Sequence, residues 1–414
     1  MSLSIARGLG AKINAALRIS PIVYINGARQ VGKSTLVRQF AGFNYVSFDN
    51  AQQLAVAANA PAAFLRQYKD KLIIDEVQML PAIFRELKIA ADDARLADKS
   101  TANGKYLLTG SANIMALPNL SDALVGRMNV LTLYPFSAVE IMGGEGNFLQ
   151  RLFAADFSPD KIPLTRAELV KIIKQATFPE IYQMNDADRA LWFDSYITTI
   201  LQRDVKLLVE VEKAGVLFNI LRLMAIRAGG LINDADIARD AGLNAVTAKR
   251  YRNILQLMFM TFSLPPYFKN IGKRMIKSSK GYFTDTALLC HVLQYRLEDI
   301  ADKQPHLFGH IVENFVATEL LKQLSIYQHR AELLHFRTSD NKEIDFIIEK
   351  PNGQLVAIEV KTSEHIEKKD FAALMELQEK LGEDFACGVI LYGGSEVICF
   401  GERLFLLPLA VLWG

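Results

Sequence analysis

Cysteine is scarce: three residues, Cys290, Cys387 and Cys399, in 414, with no spacing that suggests a metal-ligand set. That excludes a disulfide scaffold and fits a reducing compartment. An excess of either charge is also missing. Lys and Arg number 47 against 45 Asp and Glu, a net charge of +2. No global field therefore announces a nucleic-acid binder, and any basic surface must be local. Long hydrophobic runs are absent too. The most apolar stretch, Ile254 to Leu264, is broken by Gln256, Thr261 and Ser263 and stops at Pro265-Pro266, too short to span a bilayer. The first twenty residues hold an arginine and a lysine but no uninterrupted apolar segment, unlike a signal peptide. The expectation is a cytoplasmic protein without a membrane partner. Repeats and low-complexity tracts are likewise missing. What remains is half apolar and long enough for two or three domains.

The first motif is "INGARQVGKSTLVRQF", from Ile25 to Phe40. A β-branched, apolar run, "PIVYIN", precedes it, and Leu36, Val37 and Phe40 follow at helical spacing. Strand, glycine loop and helix form the context of a phosphate-binding loop. Gly27 and Gly32 allow tight turns and close approach to an anion. The backbone of Ala28, Arg29, Gln30 and Val31 and the helix start at Lys33, Ser34 and Thr35 would face ATP phosphates. Lys33 adds a positive charge, and Ser34 offers a hydroxyl to Mg²⁺.

A second strand, "KLIIDEVQ", ends in Asp75, placed for the Mg²⁺ shell, and Glu76, placed to polarise the attacking water. A third, "KYLLTGSAN", ends in Thr109, Gly110 and Ser111; a polar residue there, Ser111, can sense the terminal phosphate. Arg127 precedes a further strand and is either a surface residue or a transition-state cation, acting in cis or from a neighbouring copy in a homo-oligomer.

The stretches "GARQVGKSTL", "IIDEVQMLP", "LLTGSAN" and "LVGRMNVLTLYPFS" resemble prokaryotic AAA-type ATPases with a C-terminal DUF4143 domain. The resemblance runs through most of the chain. It implies an ATPase core on a five-stranded parallel sheet and leaves the substrate open.

From Ser137 to Glu212 the pattern is helical, and "TRAELVKIIKQA" would be a lid over the nucleotide. Arg203-Asp204 matches a signature of the resembled family without a role that its chemistry dictates. The run Asp234 to Met260 reads as two helices joined by a tight turn at Ala241-Gly242-Leu243, a helix-turn-helix. Lys249, Arg250 and Arg252 lie near the start of the second helix, where a recognition helix would touch DNA. "KNIGKRMIKSSK", Lys269 to Lys280, has five basic residues and no acid. With Lys273, Arg274 and Lys277 it could form a wing gripping phosphates without reading sequence, or a protein-contact module instead.

The last quarter places Glu313 on an apolar helical stripe, Asp345 in the strand "NKEIDFIIEK", and Glu359 and Lys361 in "LVAIEVKTS". Residues two apart on a strand share a face. If the strands pair, Asp345 and Glu359 can hold a second divalent metal, Lys361 can orient or deprotonate water, and Glu313 completes a set for metal-assisted phosphodiester hydrolysis. Helix glutamate, strand aspartate and Glu-x-Lys resemble the PD-(D/E)xK nuclease fold, with Ile344-Asp345 where that pattern has Pro-Asp. The bland alternative is a degenerate nuclease fold whose charges form a leftover ion-pair cluster.

The expected architecture is α/β in three parts. These are a P-loop AAA-type ATPase domain with helical lid (1–205), a winged helix-turn-helix (206–295) and a restriction-endonuclease-like domain (296–414). The leading expectation is that ATP, with Mg²⁺, controls a metal-dependent nuclease-like domain acting on DNA or RNA. The alternatives are a regulatory ATPase switch or DNA-binding protein with a degenerate nuclease-like domain, or a scaffold that turns ATP over slowly.

Overall fold

Ile22–Asn26 (β1), Phe43–Ser47 (β2), Lys71–Asp75 (β3), Tyr106–Gly110 (β4) and Met128–Thr132 (β5) form one sheet in the order β2-β3-β4-β1-β5. Every pairing is parallel. The three central strands are buried almost throughout, which accounts for their unbroken Ile, Leu and Val; the edge strands β2 and β5 are only partly covered. The register sets Asn26 beside Gly110 and Ser47 beside Asp75. The carboxyl ends of β1, β3 and β4 therefore share one edge, where ligands of open parallel sheets bind. The structure is a computed structural model and describes residues 5–68, 70–98, 102–111, 126–175, 177–205, 214–268, 278–338 and 342–414.

Two compact units divide the chain: Met1–Phe136 with Leu257–Phe259, and Ser137–Gln256 with Met260–Gly414. The segment expected to extend the ATPase domain to residue 205 thus joins the second unit from Ser137 onward. A capping box of Ser137 and Glu140 starts helix Ala138–Met142, and the Ala138 N–H donates to the buried Glu319 carboxylate at 2.7 Å. Helix Arg166–Lys174, expected as a lid, packs in this unit on helices Thr286–Leu293 and Leu297–Lys303.

In the middle of the chain, helix Asp234–Ala241 ends on Gly242 in the left-handed conformation and helix Ala245–Leu257 follows. Thr261–Leu264 (β6) and Lys280–Phe283 (β7) then pair antiparallel. The turn, with glycine at the αL position, is where the sequence placed it.

The C-terminal part is a mixed six-stranded sheet, β12-β13-β11-β10-β9-β8. Its strands are Glu332–Arg337 (β8), Glu343–Glu349 (β9), Leu355–Lys361 (β10), Phe385–Tyr392 (β11), Ile398–Gly401 (β12) and Leu404–Pro408 (β13). β10 alternates between two apolar layers. Val356 and Ile358 join the core that includes Phe308, Val312 and Val316 of helix Pro305–Ile326. Leu355 and Ala357 join the core with Leu374 and Leu377 of helix Ala372–Leu381. Covered on both faces, β10 and β11 are apolar almost throughout, and the Glu359 and Lys361 charges at the end of β10 stand out.

Candidate functional site

The loop after β1 has the backbone that its glycines permit. Gly27 has φ +150°, and a Cβ there would stand 2.2 Å from the Leu133 carbonyl oxygen. Gly32, the N-cap of helix Lys33–Val37, has φ +89°, and Gln30 also lies at positive φ, +60°. Lys33 is 4% exposed. Its Nζ donates to the carbonyls of Gly27 at 3.0 Å and Ala28 at 2.7 Å. Burial pushes its pKa down to about 8, against the pull of Glu76 and Asp75.

Asp75 collects three hydroxyl donors. Ser34 reaches Oδ1 at 3.0 Å, Thr109 bonds the same oxygen, and Tyr45 reaches Oδ2 at 2.6 Å. Because β4 lies between β1 and β3, Thr109 and Ser111 come from the strand separating the two motifs. Glu76 has φ +56°, uncommon without glycine. The Gln78 side-chain amide bonds both Glu76 Oε2 and Ser111 Oγ, the latter at 2.9 Å. The structure thus gathers Gly27 through Ser34, Asp75, Glu76 and Ser111 at one sheet edge. Thr35, next in the helix, is exposed. Lys33 could hold phosphate, and Ser34 with Asp75 could hold Mg²⁺. A carboxylate and hydroxyl already 3.0 Å apart suit a hard cation.

Arg127 is not in that group. It precedes β5, whose first residue pairs with Ile22, the first of β1. The phosphate loop follows the last residue of β1, a strand's length away, on the order of 15 Å. The Arg127 Nε pairs with Asp92 Oδ1 at 2.5 Å. Lys249 and Arg250 are exposed on helix Ala245–Leu257. Arg252, expected beside them as a DNA contact, is 8% exposed and holds Asp234 through two bonds at 2.8 and 3.2 Å. Lys273, Arg274 and Lys277 lie outside the described residues, as do the side chains of Arg203 and Asp204. Lys280, the last residue of the expected wing, is 2% exposed, so it is part of a core and not of a basic surface.

The four C-terminal residues lie close enough for Asp345 to act electrostatically on Glu313, Glu359 and Lys361. Glu313 Oε1 accepts from Lys280 Nζ at 2.9 Å and Tyr282 OH at 2.7 Å. Glu359 pairs with Lys361 at 2.8 Å, and its Oε2 is buried with no hydrogen-bond partner among the described residues. Asp345 sits at a bulge where one residue of β8, His335, faces two of β9, Asp345 and Phe346. One oxygen accepts the Val360 N–H at 2.9 Å and the other faces Lys280 Nζ at 3.3 Å. Lys280 Nζ also pairs with Glu343 at 2.5 Å. Burial, then the Asp345 charge, raises Glu313 to about 7 and Glu359 to about 8. Neighbouring carboxylates, Asp345 foremost, outweigh burial and raise Lys280. Among the described residues no three His, Cys, Asp or Glu side chains are arranged to hold a metal ion. At the expected second metal site each carboxylate already faces a lysine, Asp345 facing Lys280 and Glu359 facing Lys361.

The sequence reading missed several residues at these sites. Tyr45 and Gln78 belong to the nucleotide edge, and Lys280, Tyr282 and Glu343 to the C-terminal cluster. Gln78 had a signal, lying two residues beyond Glu76. Lys280 had one as well, a lysine opening the apolar strand "KGYF". A cavity of about 990 Å³ contains none of the expected site residues. Lys174, Arg189, His291 and Glu298 help line it.

Comparison with known proteins divides the chain in a similar order. Residues 20–142 match the AAA domain, 166–299 the domain of unknown function DUF8612 and 308–412 the domain of unknown function DUF4143. The uncharacterised protein Rv2008c of Mycobacterium tuberculosis is 28% identical over 376 residues, 90% of this chain and 78% of that one. The Walker-type ATPase PABY2304 of Pyrococcus abyssi is 15% identical with a TM-score of 0.41, over 69% of this chain and 94% of that one. AMPPCP-bound DnaA from Aquifex aeolicus is 14% identical with a TM-score of 0.28, over 61% of this chain and 89% of that one.

Proposed function

The chain joins an AAA domain to a C-terminal DUF4143 domain, and from that premise we propose that it is an ATP-binding and ATP-hydrolysing switch whose C-terminal domain does not cut nucleic acid. One observation carries the first half. Ser34, Asp75, Glu76 and Ser111 are linked by hydrogen bonds through Thr109 and Gln78 at the carboxyl edge of one parallel sheet, with Lys33 bonded to the adjoining loop. ATP with Mg²⁺ is the ligand that suits a lysine, a hydroxyl and a strand-end carboxylate in this order. Bound there, the magnesium ion would neutralise phosphate charge. Lys33 would bind phosphate oxygens, Ser34 and Asp75 would orient the ion, and Glu76 would accept the water's proton. Arg127, half-exposed and away from its own loop, suits a cation presented to a neighbouring copy.

Lys249 and Arg250 favour a nucleic-acid partner as a second element of this reading. Both are exposed on the second helix of the helix pair, and each phosphate contact contributes about one unit of salt slope. Nucleotide state can act on such a partner only if the ATP and ADP forms differ in their contacts with it. Steady-state ATP turnover, assayed beside a Mg²⁺ and Mn²⁺ nuclease panel with and without ATP, tests the proposal. The expected result is ATP turnover without cleavage. No ATP binding would overturn the first half, and metal-dependent cleavage that Asp345→Ala abolishes would overturn the second.

A further inference from the structure

We infer that Lys280 is a resident cation of the C-terminal carboxylate cluster, standing where a divalent metal would stand and making the cluster an internal salt-bridge network. This deepens the non-cutting half of the proposed function and rests on it; it is independent of ATP. Three carboxylates from two elements converge on one ammonium: Glu313 Oε1 at 2.9 Å from helix Pro305–Ile326, and Glu343 Oε1 at 2.5 Å and Asp345 Oδ1 at 3.3 Å from β9. An ammonium has three N–H donors and no acceptor, so the number of acids matches the number of protons. The Lys280 side chain is 3% exposed, and those of Glu313 and Asp345 are 12% and 13% exposed. Carboxylates so withdrawn from water must be compensated by a cation inside the protein. Tyr282 adds a hydroxyl donor to Glu313, and Arg337 stands 3.7 Å from Glu343 on the other side.

The position explains the shielding. Lys280 opens β7, pairs with Leu264 and bridges to Leu231. Its backbone is thus held from two sides, and its side chain has one direction to run. A Ca²⁺ or Mn²⁺ ion needs hard oxygens at about 2.0–2.6 Å. Shortening the lysine would leave three such oxygens within a small displacement of that distance. On this reading the lysine's occupancy and charge keep a metal ion from the three acids.

The test is metal binding by the full chain, measured by calorimetry and Tb³⁺ luminescence with Mn²⁺, Ca²⁺ and Tb³⁺ as probes. Additional Asp75→Asn substitution in every protein removes the carboxylate that would hold a cation at the nucleotide edge. The Lys280 parent is expected to bind no cation that Asp345→Asn removes. Lys280→Ala is expected to gain one site, at least tenfold tighter than anything in the parent, which Glu313→Gln with Asp345→Asn abolishes. Since three uncompensated acids can prevent folding, Lys280→Ala with Glu343→Gln relieves one of them. If either variant is unfolded, millimolar Mn²⁺ or Ca²⁺ should restore its thermal transition. A folded Lys280→Ala protein that binds no cation overturns the inference, as does an unfolded one that no cation rescues. An Asp345-dependent site in the parent overturns it too. Nucleic-acid cleavage by the parent without such a site would instead overturn the non-cutting reading and leave Lys280 in place.

Discussion

At the scale of the residue, the nucleotide edge turns on how each charge is held. Lys33 is buried and already bonded to two carbonyls of its own loop, so Lys33→Ala should cost a charge-assisted contact of roughly 1.5–3 kcal/mol. That is about a ten- to hundredfold rise in the Kd for ATP by calorimetry. The pH dependence has a definite sign. Burial holds the Lys33 pKa at about 8, and a bound polyphosphate favours the charged form. ATP affinity should therefore fall as pH rises through 8, and Lys33→Ala should remove that slope. Glu76→Gln should leave the Kd unchanged while slowing turnover about a hundredfold or more, as expected for a general base. Gln78→Ala touches neither the loop nor the phosphates. It should also spare the Kd but lower turnover about tenfold, since it frees Glu76 from Ser111; equal turnover in Gln78→Ala and parent would mean the bridge is only structural. The motif residues were legible because their chemistry demands fixed spacing in sequence. Tyr45 was not, because its partner Asp75 lies thirty residues on and only strand pairing brings them together.

At the scale of the element, the strands and helices came close to what periodicity implied, while burial of charges did not. Helix Asp234–Ala241, the Gly242 turn and helix Ala245–Leu257 stand where apolar spacing put them. Sequence gives no sign that Arg252 turns inward to Asp234 while Lys249 and Arg250 face out, because lysine and arginine look alike until a partner on the preceding helix, 18 residues away, is placed. Arg252→Ala should lower stability by roughly 1–3 kcal/mol in urea denaturation, as for a charged hydrogen-bonded pair losing one member. Charge reversal at Lys249 and Arg250 should leave the transition in place and weaken low-salt nucleic-acid binding. The hairpin of β9 and β10 was also foreseen, but not that Lys280 of β7 would enter its acids. Glu359 offers a check on that cluster. Its folded pKa is raised to about 8, above the usual carboxyl value of about 4.3. Its contribution is therefore fully present below about pH 4.3 and lost as pH rises to 8. The Tm should fall across that interval in the parent and fall less in Glu359→Gln; parallel curves would contradict the burial assigned to Glu359.

At the scale of the whole molecule, the AAA and DUF4143 parts were readable from their motifs, whereas the extent of the first was not. Helical periodicity in 137–205 says that helices form but not which core they join, and their apolar faces pack in the second unit with helix Thr286–Leu293 and its neighbours. The sequence also placed two chemistries in one chain, and the proposed account divides them: one edge gathers the groups for ATP, while in the other cluster Lys280 contacts three acids. The most direct test of that division is a single preparation assayed at once for ATP turnover and for cleavage of DNA and RNA in Mg²⁺ and Mn²⁺, beside Lys33→Ala and Asp345→Ala. The expected result is turnover in the parent and in Asp345→Ala, loss of turnover in Lys33→Ala, and no cleavage by any of them. Metal-dependent cleavage by the parent that disappears in Asp345→Ala, or ATP turnover undiminished in Lys33→Ala, would contradict it.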